Sequence, residues 1–300
     1  MASVLLSLGY ALSWGVGQTL SKIALTEISP STLLIVQLGS SVAFLALLYG
    51  TLYQRFPFSL RSIKQGGAGV FEPALAYMLG VFGLSLTTAS AASLIGASEV
   101  VLTVMFAALF LREPLTRKLL LLAVSSFAGV SLLFVDGGGS GDVSATGNLL
   151  VLAGTLFAVV YVLYSKKAVG GTNPLQLTAA QQLVGFVTTL LCFGALALVR
   201  SDFALVTTGV PLPFWLLAVV AGVMQYALGF LFYLIALRGM PVSRAAFYVA
   251  LVPVFGVGSA ALLLGEAPGA AQWLGAAFII GSSYFANRER PAGERAVADD

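Results

Sequence analysis

Phe203–Leu237 reads FALVTTGVPLPFWLLAVVAGVMQYALGFLFYLIAL, and no side chain in it is charged. A helix needs about 20 mostly apolar residues to cross the roughly 30 Å of hydrocarbon in a bilayer, so this stretch holds one crossing with residues to spare. Similar charge-free stretches fill the chain: Met1–Ser21, Ile28–Gln54, Pro73–Ser98, Leu119–Val135, Val143–Ser165, Ala168–Val199, Ala245–Gly265 and Ala267–Asn287. The third continues past Glu99 to Leu111, and a polar break at Thr87–Ser90 divides it into two helices. Ten membrane helices are predicted, at about residues 3–23, 31–52, 66–87, 91–111, 117–135, 147–167, 175–199, 213–237, 243–264 and 270–287. The runs are far too long for barrel strands and do not alternate. The fold class is an all-α polytopic membrane protein.

Composition agrees. Of 300 residues, 59% are hydrophobic and 9% charged, and mean hydropathy is +0.98; soluble domains carry roughly 25% charged residues. Disorder is excluded by the same numbers. A net charge of +3, with basic residues in pairs and threes, argues against a nucleic-acid partner. Histidine is absent, which removes zinc or haem chemistry built on it. The single cysteine, Cys192, has no partner for an internal disulfide. No Gly-x-x-x-x-Gly-Lys-Ser/Thr loop exists to cradle ATP, and no serine sits in a Gly-x-Ser-x-Gly elbow. Neither a cofactor nor an enzymatic activity is expected.

Orientation follows from the basic residues. With a cytoplasmic N-terminus, thirteen fall inside: Arg55, Arg61, Lys64, Arg112, Arg117, Lys118, Lys166, Lys167, Arg238, Arg244, Arg288, Arg290 and Arg295. Two, Lys22 and Arg200, fall outside. Both termini are therefore expected in the cytoplasm. The first helix lacks a positive n-region, and Trp14–Gln18 is a poor cleavage context, so it is expected to be retained rather than removed as a signal peptide.

The chain also repeats itself. Adding 144 carries Ser21-Lys22 onto Ser165-Lys166, Ala24 onto Ala168, Pro30 onto Pro174 and Gln37 onto Gln181. Adding 153 carries Ala68-Gly69 onto Ala221-Gly222, Ala74 onto Ala227 and Glu113 onto Glu266. The domain reading is 1–135 for a first five-helix repeat, 136–146 for an external glycine-rich linker, 147–287 for the second repeat and 288–300 for a disordered cytoplasmic tail. Five is odd, so the second repeat enters the membrane inverted. Inverted repeats about a central cavity are the geometric basis of alternating access in secondary transporters.

Several motifs carry a family resemblance over about residues 3–287. They are Ser13-Trp14-Gly15 with Ser21-Lys22, Ser98-Glu99-Val100-Val101 running to Leu111-Arg112-Glu113-Pro114-Leu115-Thr116, Leu251-Val252-Pro253-Val254-Phe255 running to Leu264-Gly265-Glu266, and Gln272-Trp273-Leu274-Gly275. On these the chain resembles the EamA-type drug/metabolite transporter superfamily, most closely its bacterial aromatic amino-acid exporter branch. The resemblance implies two inverted five-helix repeats in the inner membrane and export of small metabolites, amino acids first. Its partners would be amino acids or amphipathic metabolites and the lipid bilayer; a monomer is compatible with these features. Where the family usually has Glu-Pro in the fourth helix, this chain has Glu99-Val100, and its second half has Val252-Pro253 without the acid.

Ionisable groups inside a bilayer are costly and mark function by default. Two acids lie within predicted helices, Glu72 and Glu99, and the predicted boundaries put them at different depths, toward opposite faces. The repeat maps them onto Gln225 and Val252, so one half supplies both acids. Tyr10, Trp14, Gln18 and Ser21 share one face of the first helix. Tyr161, Gln225 with Tyr226, and Tyr248 with Arg244 a turn before it add rings and an amide that suit an amphipathic solute; packing or headgroup-level belts are the competing reading. Trp215 and Trp273, near helix starts, are assigned to belts. The candidate substrate-binding set is Trp14, Gln18, Glu72, Glu99, Tyr161, Gln225, Tyr226 and Tyr248. Gly15, Pro73 and Pro253 are candidate hinges, because small residues allow close approach and proline loosens the helical ladder. Lys22 either snorkels or pairs with Glu27. An integral-membrane enzyme, a lipid-handling protein or a passive channel stands as the alternative.

Topology is directly testable. Reporters fused after residues 58, 114 and 290 are expected to read cytoplasmic and one near residue 140 external; an external C-terminus contradicts both the ten-helix count and the inversion.

Overall fold

The computed structural model describes residues 2–134, 144–199 and 209–288. The linker readings at Asp136–Val143, the placement of Arg200 and the tail beyond Arg288 lie outside these residues. The described chain is all helical, with ten rods and no strand: α1 (Ala2–Ala24), α2 (Pro30–Tyr53), α3 (Leu60–Leu86), α4 (Ala89–Ala97 and Glu99–Leu111), α5 (Arg117–Leu133), α6 (Ala145–Val169), α7 (Pro174–Val199), α8 (Leu212–Gly239), α9 (Val242–Val249 and Val252–Leu264) and α10 (Ala270–Arg288). Seven of them, α2, α3, α4, α6, α7, α8 and α9, are long and apolar enough to cross a membrane.

Helix ends match the sequence expectation within a few residues except at α3. That rod starts at Leu60, not near 66, with a turn carrying Arg61 and Lys64. Ser59 caps it, its Oγ accepting from the Ser62 amide while the Ser62 hydroxyl accepts from the Ser59 amide. This reciprocal box satisfies two end groups and starts the helix within charged sequence, where a search for charge-free runs does not look.

Four rods are interrupted near their middles. α3 tightens over Gly66–Val70 and widens over Phe71–Leu75, where Glu72 is extended at φ −144°, ψ 129°. α8 widens over Val223–Gly229. α4 breaks at Ser98, and α9 breaks at Ala250–Leu251. The breaks in α8 and α9 lie at the +153 positions of those in α3 and α4, within about a residue.

Packing repeats too. α1 lies against α8 and α9, and α6 against α3 and α4; α2 pairs with α7, and α5 with α10. Gln37 Nε2 donates to Ser21 Oγ at 2.7 Å, and Gln181 Nε2 to Ser165 Oγ at 2.9 Å. α4 ends at a left-handed Arg112 (φ 56°), and α9 at a left-handed Gly265 (φ 69°). Each of these pairs keeps the sequence offset, so the internal repeat extends to side-chain and backbone geometry.

Two glycines at matching places set how closely rods approach. A Cβ on Gly69 would run into the backbone carbonyl of Gln181, and one on Gly222 would lie 2.5 Å from the Gln37 Cα. α3 thus seats on α7, and α8 on α2, backbone against backbone, as small residues permit in membranes. Gly69→Val is expected to lose on the order of 1–3 kcal/mol by overpacking, read as a lowered melting temperature in detergent. Gly67→Ala, where nothing lies within 4 Å of the new carbon, should melt like the parent.

Candidate functional site

The interruptions of α3, α4 and α9 face one cavity of about 340 Å³. Glu72 reaches it from the irregular turn of α3, Glu99 from the first turn of the second piece of α4, and Pro253 from the start of the second piece of α9. α1 adds Tyr10, Trp14 and Gln18, and α6 adds Gly154 and Thr155. Both halves of the repeat therefore build the wall. Among the described residues, its carboxyls come from the first half alone, and no lysine or arginine lines it.

Glu72 and Glu99 thus meet at one cavity, which corrects the expectation of different depths. The physical reason is the added turn of α3: with the rod starting at Leu60, Glu72 falls at its middle, as Glu99 does in α4. An acid in the first turn of a helix also faces the unpaired amides of that end, which favour negative charge.

Tyr77 was not singled out by its sequence. Its hydroxyl donates to Glu72 Oε1 at 2.8 Å, and its ring stacks against Trp14 at a centroid distance of 6.0 Å. On a regular helix, positions five apart diverge; a widened turn with i→i+5 bonding brings them to one face. Trp14 also meets Tyr10 at 5.7 Å, Tyr226 at 5.6 Å and Phe230 at 5.0 Å. It is the hub of an aromatic wall, with one side on the cavity. Thr103, Thr155 and Ser93 add hydroxyls to the lining; single small polar residues on apolar helices give little signal in a sequence.

The remaining candidates lie elsewhere. Tyr226 sits behind Trp14 and Tyr77, touching the latter edge-on at 5.5 Å. Tyr161 is fully buried, and its hydroxyl donates to Gln181 Oε1 at 3.0 Å. Gln225 is buried and donates to Ser21 Oγ at 2.7 Å. Tyr248 is buried in the main apolar core while its neighbours Ala246, Val249 and Ala250 line the cavity. Gly15 lies where α1 crosses α9, with no room for a Cβ beside Val252, Phe255 and Gly256; Pro73 lies inside the irregular turn of α3. Of the two tryptophans assigned to belts, Trp273 is exposed and Trp215 is half-buried against the Ile28–Leu33 cluster.

A second cavity of about 400 Å³ shares Gln18, Phe134 and Pro253 with the first. It leads to an exposed ion pair, Lys22 Nζ to Glu266 Oε1 at 2.6 Å. Glu266, not Glu27, is therefore the partner of Lys22; the two meet across the halves, 244 positions apart in sequence. At the other end of the repeat relation, Lys166 and Glu113 hold the turn between α8 and α9. Lys166 Nζ donates to the carbonyls of Leu237 at 2.6 Å and Met240 at 2.8 Å, and Glu113 accepts from the amides of Val242 at 2.7 Å and Ser243 at 2.9 Å. A cation on helix-end carbonyls and an anion on helix-start amides suit the dipoles of both ends.

Comparison with known proteins agrees with this architecture. A Bacillus subtilis (strain 168) protein named uncharacterized transporter YcxC is 30% identical over 199 residues, 65% of this chain; the match spans 62% of that protein's length. A crystal structure of a protein at 19% identity superposes with a TM-score of 0.75, covering 96% of this chain and 98% of that one, which is a likeness of fold. The model of the EamA-like transporter family matches residues 1–135 and 145–288, one copy on each half of the repeat. The chain belongs to the EamA-like transporter family, as a multi-pass membrane protein.

Proposed function

We propose that the chain is a secondary transporter that exports amino acids, aromatic ones favoured, across the bacterial inner membrane. In this reading all ten rods cross the bilayer as two inverted five-helix repeats, and access to the central cavity alternates between the two faces. The observation that carries it is the cavity itself: two carboxylates and an aromatic wall, built where three helices are interrupted and reached from both halves. Interrupted helices at a repeat interface are where transporters of this construction bind solute.

An aromatic amino acid carries an ammonium, a carboxylate and a flat ring. Glu72 and Glu99 meet the ammonium, and ring faces beside them attract a cation. Trp14 and Tyr77 take the ring. The Gln18 amide and the hydroxyls of Thr103 and Thr155 meet the substrate carboxylate, since no basic side chain among the described residues lines the cavity. By the charge count, the Lys22–Glu266 end faces outward, so the connected cavities lead from the site to the side of release.

Two expectations follow for transport into proteoliposomes. Trp14→Ala removes one stacking partner worth about 0.5–1.5 kcal/mol, so it should weaken phenylalanine or tryptophan transport about threefold to tenfold and spare threonine. Equal losses for both, in variants matched for expression and folding, make Trp14 a packing residue. For coupling, a proton carrier in a histidine-free chain must be a carboxylate. Glu99→Gln or Glu72→Gln is then expected to abolish accumulation driven by a pH gradient while exchange of solute down its own gradient persists. Full gradient-driven accumulation in both variants rules out carboxylate coupling in the cavity.

A further inference from the structure

Four charged residues stand in matching places in the repeat and do different things at its two ends. Lys22 corresponds to Lys166 at an offset of 144, and Glu266 to Glu113 at 153. At one end, Lys166 and Glu113 leave their charges on backbone: the lysine on the carbonyls that finish α8, the glutamate on the amides that start α9. At the other end, Lys22 and Glu266 bond to each other instead, beside the open second cavity.

The first half contains the counterpart of the gripped turn. Subtracting 153 from Leu237, Met240, Val242 and Ser243 gives Leu84, Thr87, Ala89 and Ser90. The turn there has the same construction: α3 finishes at Leu86, Thr88 caps α4, and α4 starts at Ala89. Its present tie is to the start of α6 in the other half, the Thr87 hydroxyl donating to Asn148 Oδ1 at 2.8 Å, with no charged side chain among the described residues on its helix ends.

From this, and resting on the transporter reading above, we infer that the two charged pairs are exchanging latches. When the protein turns to its other face, Lys22 and Glu266 separate and grip the α3–α4 turn, the ammonium on the carbonyls of Leu84 and Thr87 and the carboxylate on the amides of Ala89 and Ser90. Lys166 and Glu113 release the α8–α9 turn and bond to each other. One turn is gripped by a charged pair while the other is not, which closes one end of the cavity as the other opens. The four side chains are positioning residues for this motion; none of them lines the central cavity. Charge-assisted bonds to helix ends are strong enough to bias a two-state equilibrium by about tenfold each.

The test places cysteines beside the latch and leaves its charges intact. In full-length Cys192→Ala protein, Thr88→Cys and Ala267→Cys are treated with a short bis-maleimide and then cleaved at a protease site inserted after Gly139. Cross-linked halves stay together on a denaturing gel. Glu113→Gln, which weakens the grip on the α8–α9 turn, should raise the 88–267 yield about tenfold, and adding Glu266→Gln should return it to the starting level. If Glu113→Gln does not fold by size-exclusion chromatography, Lys166→Gln supplies the same release. A yield indifferent to Glu113 and Lys166, or equal with and without Glu266, overturns the exchange. Neither outcome needs a substrate. Transport of solute without the cross-link response defeats the latches alone, and the response without any solute movement upholds them and defeats the transport reading.

Discussion

Backbone hydrogen bonding in hydrocarbon is the constraint on which the rest of this structure depends. A peptide group without a partner in lipid costs several kcal/mol, so non-helical backbone is tolerated there only where protein covers it or a cavity wets it. The interruptions of α3, α4, α8 and α9 obey that rule. They occur at repeat-related positions in the middles of their rods, and those of α3, α4 and α9 lie against the cavity that Glu72, Glu99 and Pro253 line. The cavity and the breaks account for each other: freed backbone groups need a polar space, and the space receives its acids from the freed turns.

Duplication supplies the frame, and divergence supplies the chemistry. The halves keep their Gln–Ser bonds, their left-handed helix ends and their glycine contacts at constant offsets. Within that frame Glu72 corresponds to Gln225, which donates to Ser21 of α1, and Glu99 corresponds to Val252. The same framework position is thus an acid on the cavity in one half and a structural amide in the other. A site built this way is asymmetric along the direction of transport even though the scaffold around it is not.

Much of this was legible in the sequence because the hydrocarbon core imposes length and apolarity on the rods that cross it. The helix order, most ends within a few residues, the repeat offsets and the selection of Trp14, Gln18, Glu72 and Glu99, which line the cavity, come from that constraint and from the cost of burying polar groups. What was not legible depends on local departures from it. The capped turn at Leu60–Gln65 lies in charged sequence, and missing it displaced Glu72 from the level of Glu99. The widened turn after Glu72 carries no residue signature that aligns Tyr77 with it. The Lys22–Glu266 pair needs tertiary structure, since its partners come from different halves. Tyr161 and Gln225 are polar residues in apolar helices for a structural reason, namely the Gln181 and Ser21 bonds, which composition cannot separate from a binding role.

The repeat also separates the contacts that the two halves share from those that they do not. Ser21 and Ser165 make the same bond in both halves, to Gln37 and Gln181. Lys22 and Lys166, the very next residues, do not share their contacts: one meets a carboxylate in solvent and the other two backbone carbonyls. Two halves with one construction differ in a given contact for one of two reasons. Either the side chains have diverged, as with Glu99 and Val252, or the halves occupy different conformations. For the lysines and their glutamates the side chains themselves are identical; the turns they face, Leu237–Ser243 and Leu84–Ser90, differ in sequence, and the latch proposal above assigns the unlike contacts to conformation. Identical contacts at paired positions mark the frame that the two halves share, and on the latch proposal unlike contacts between identical residues mark its joints.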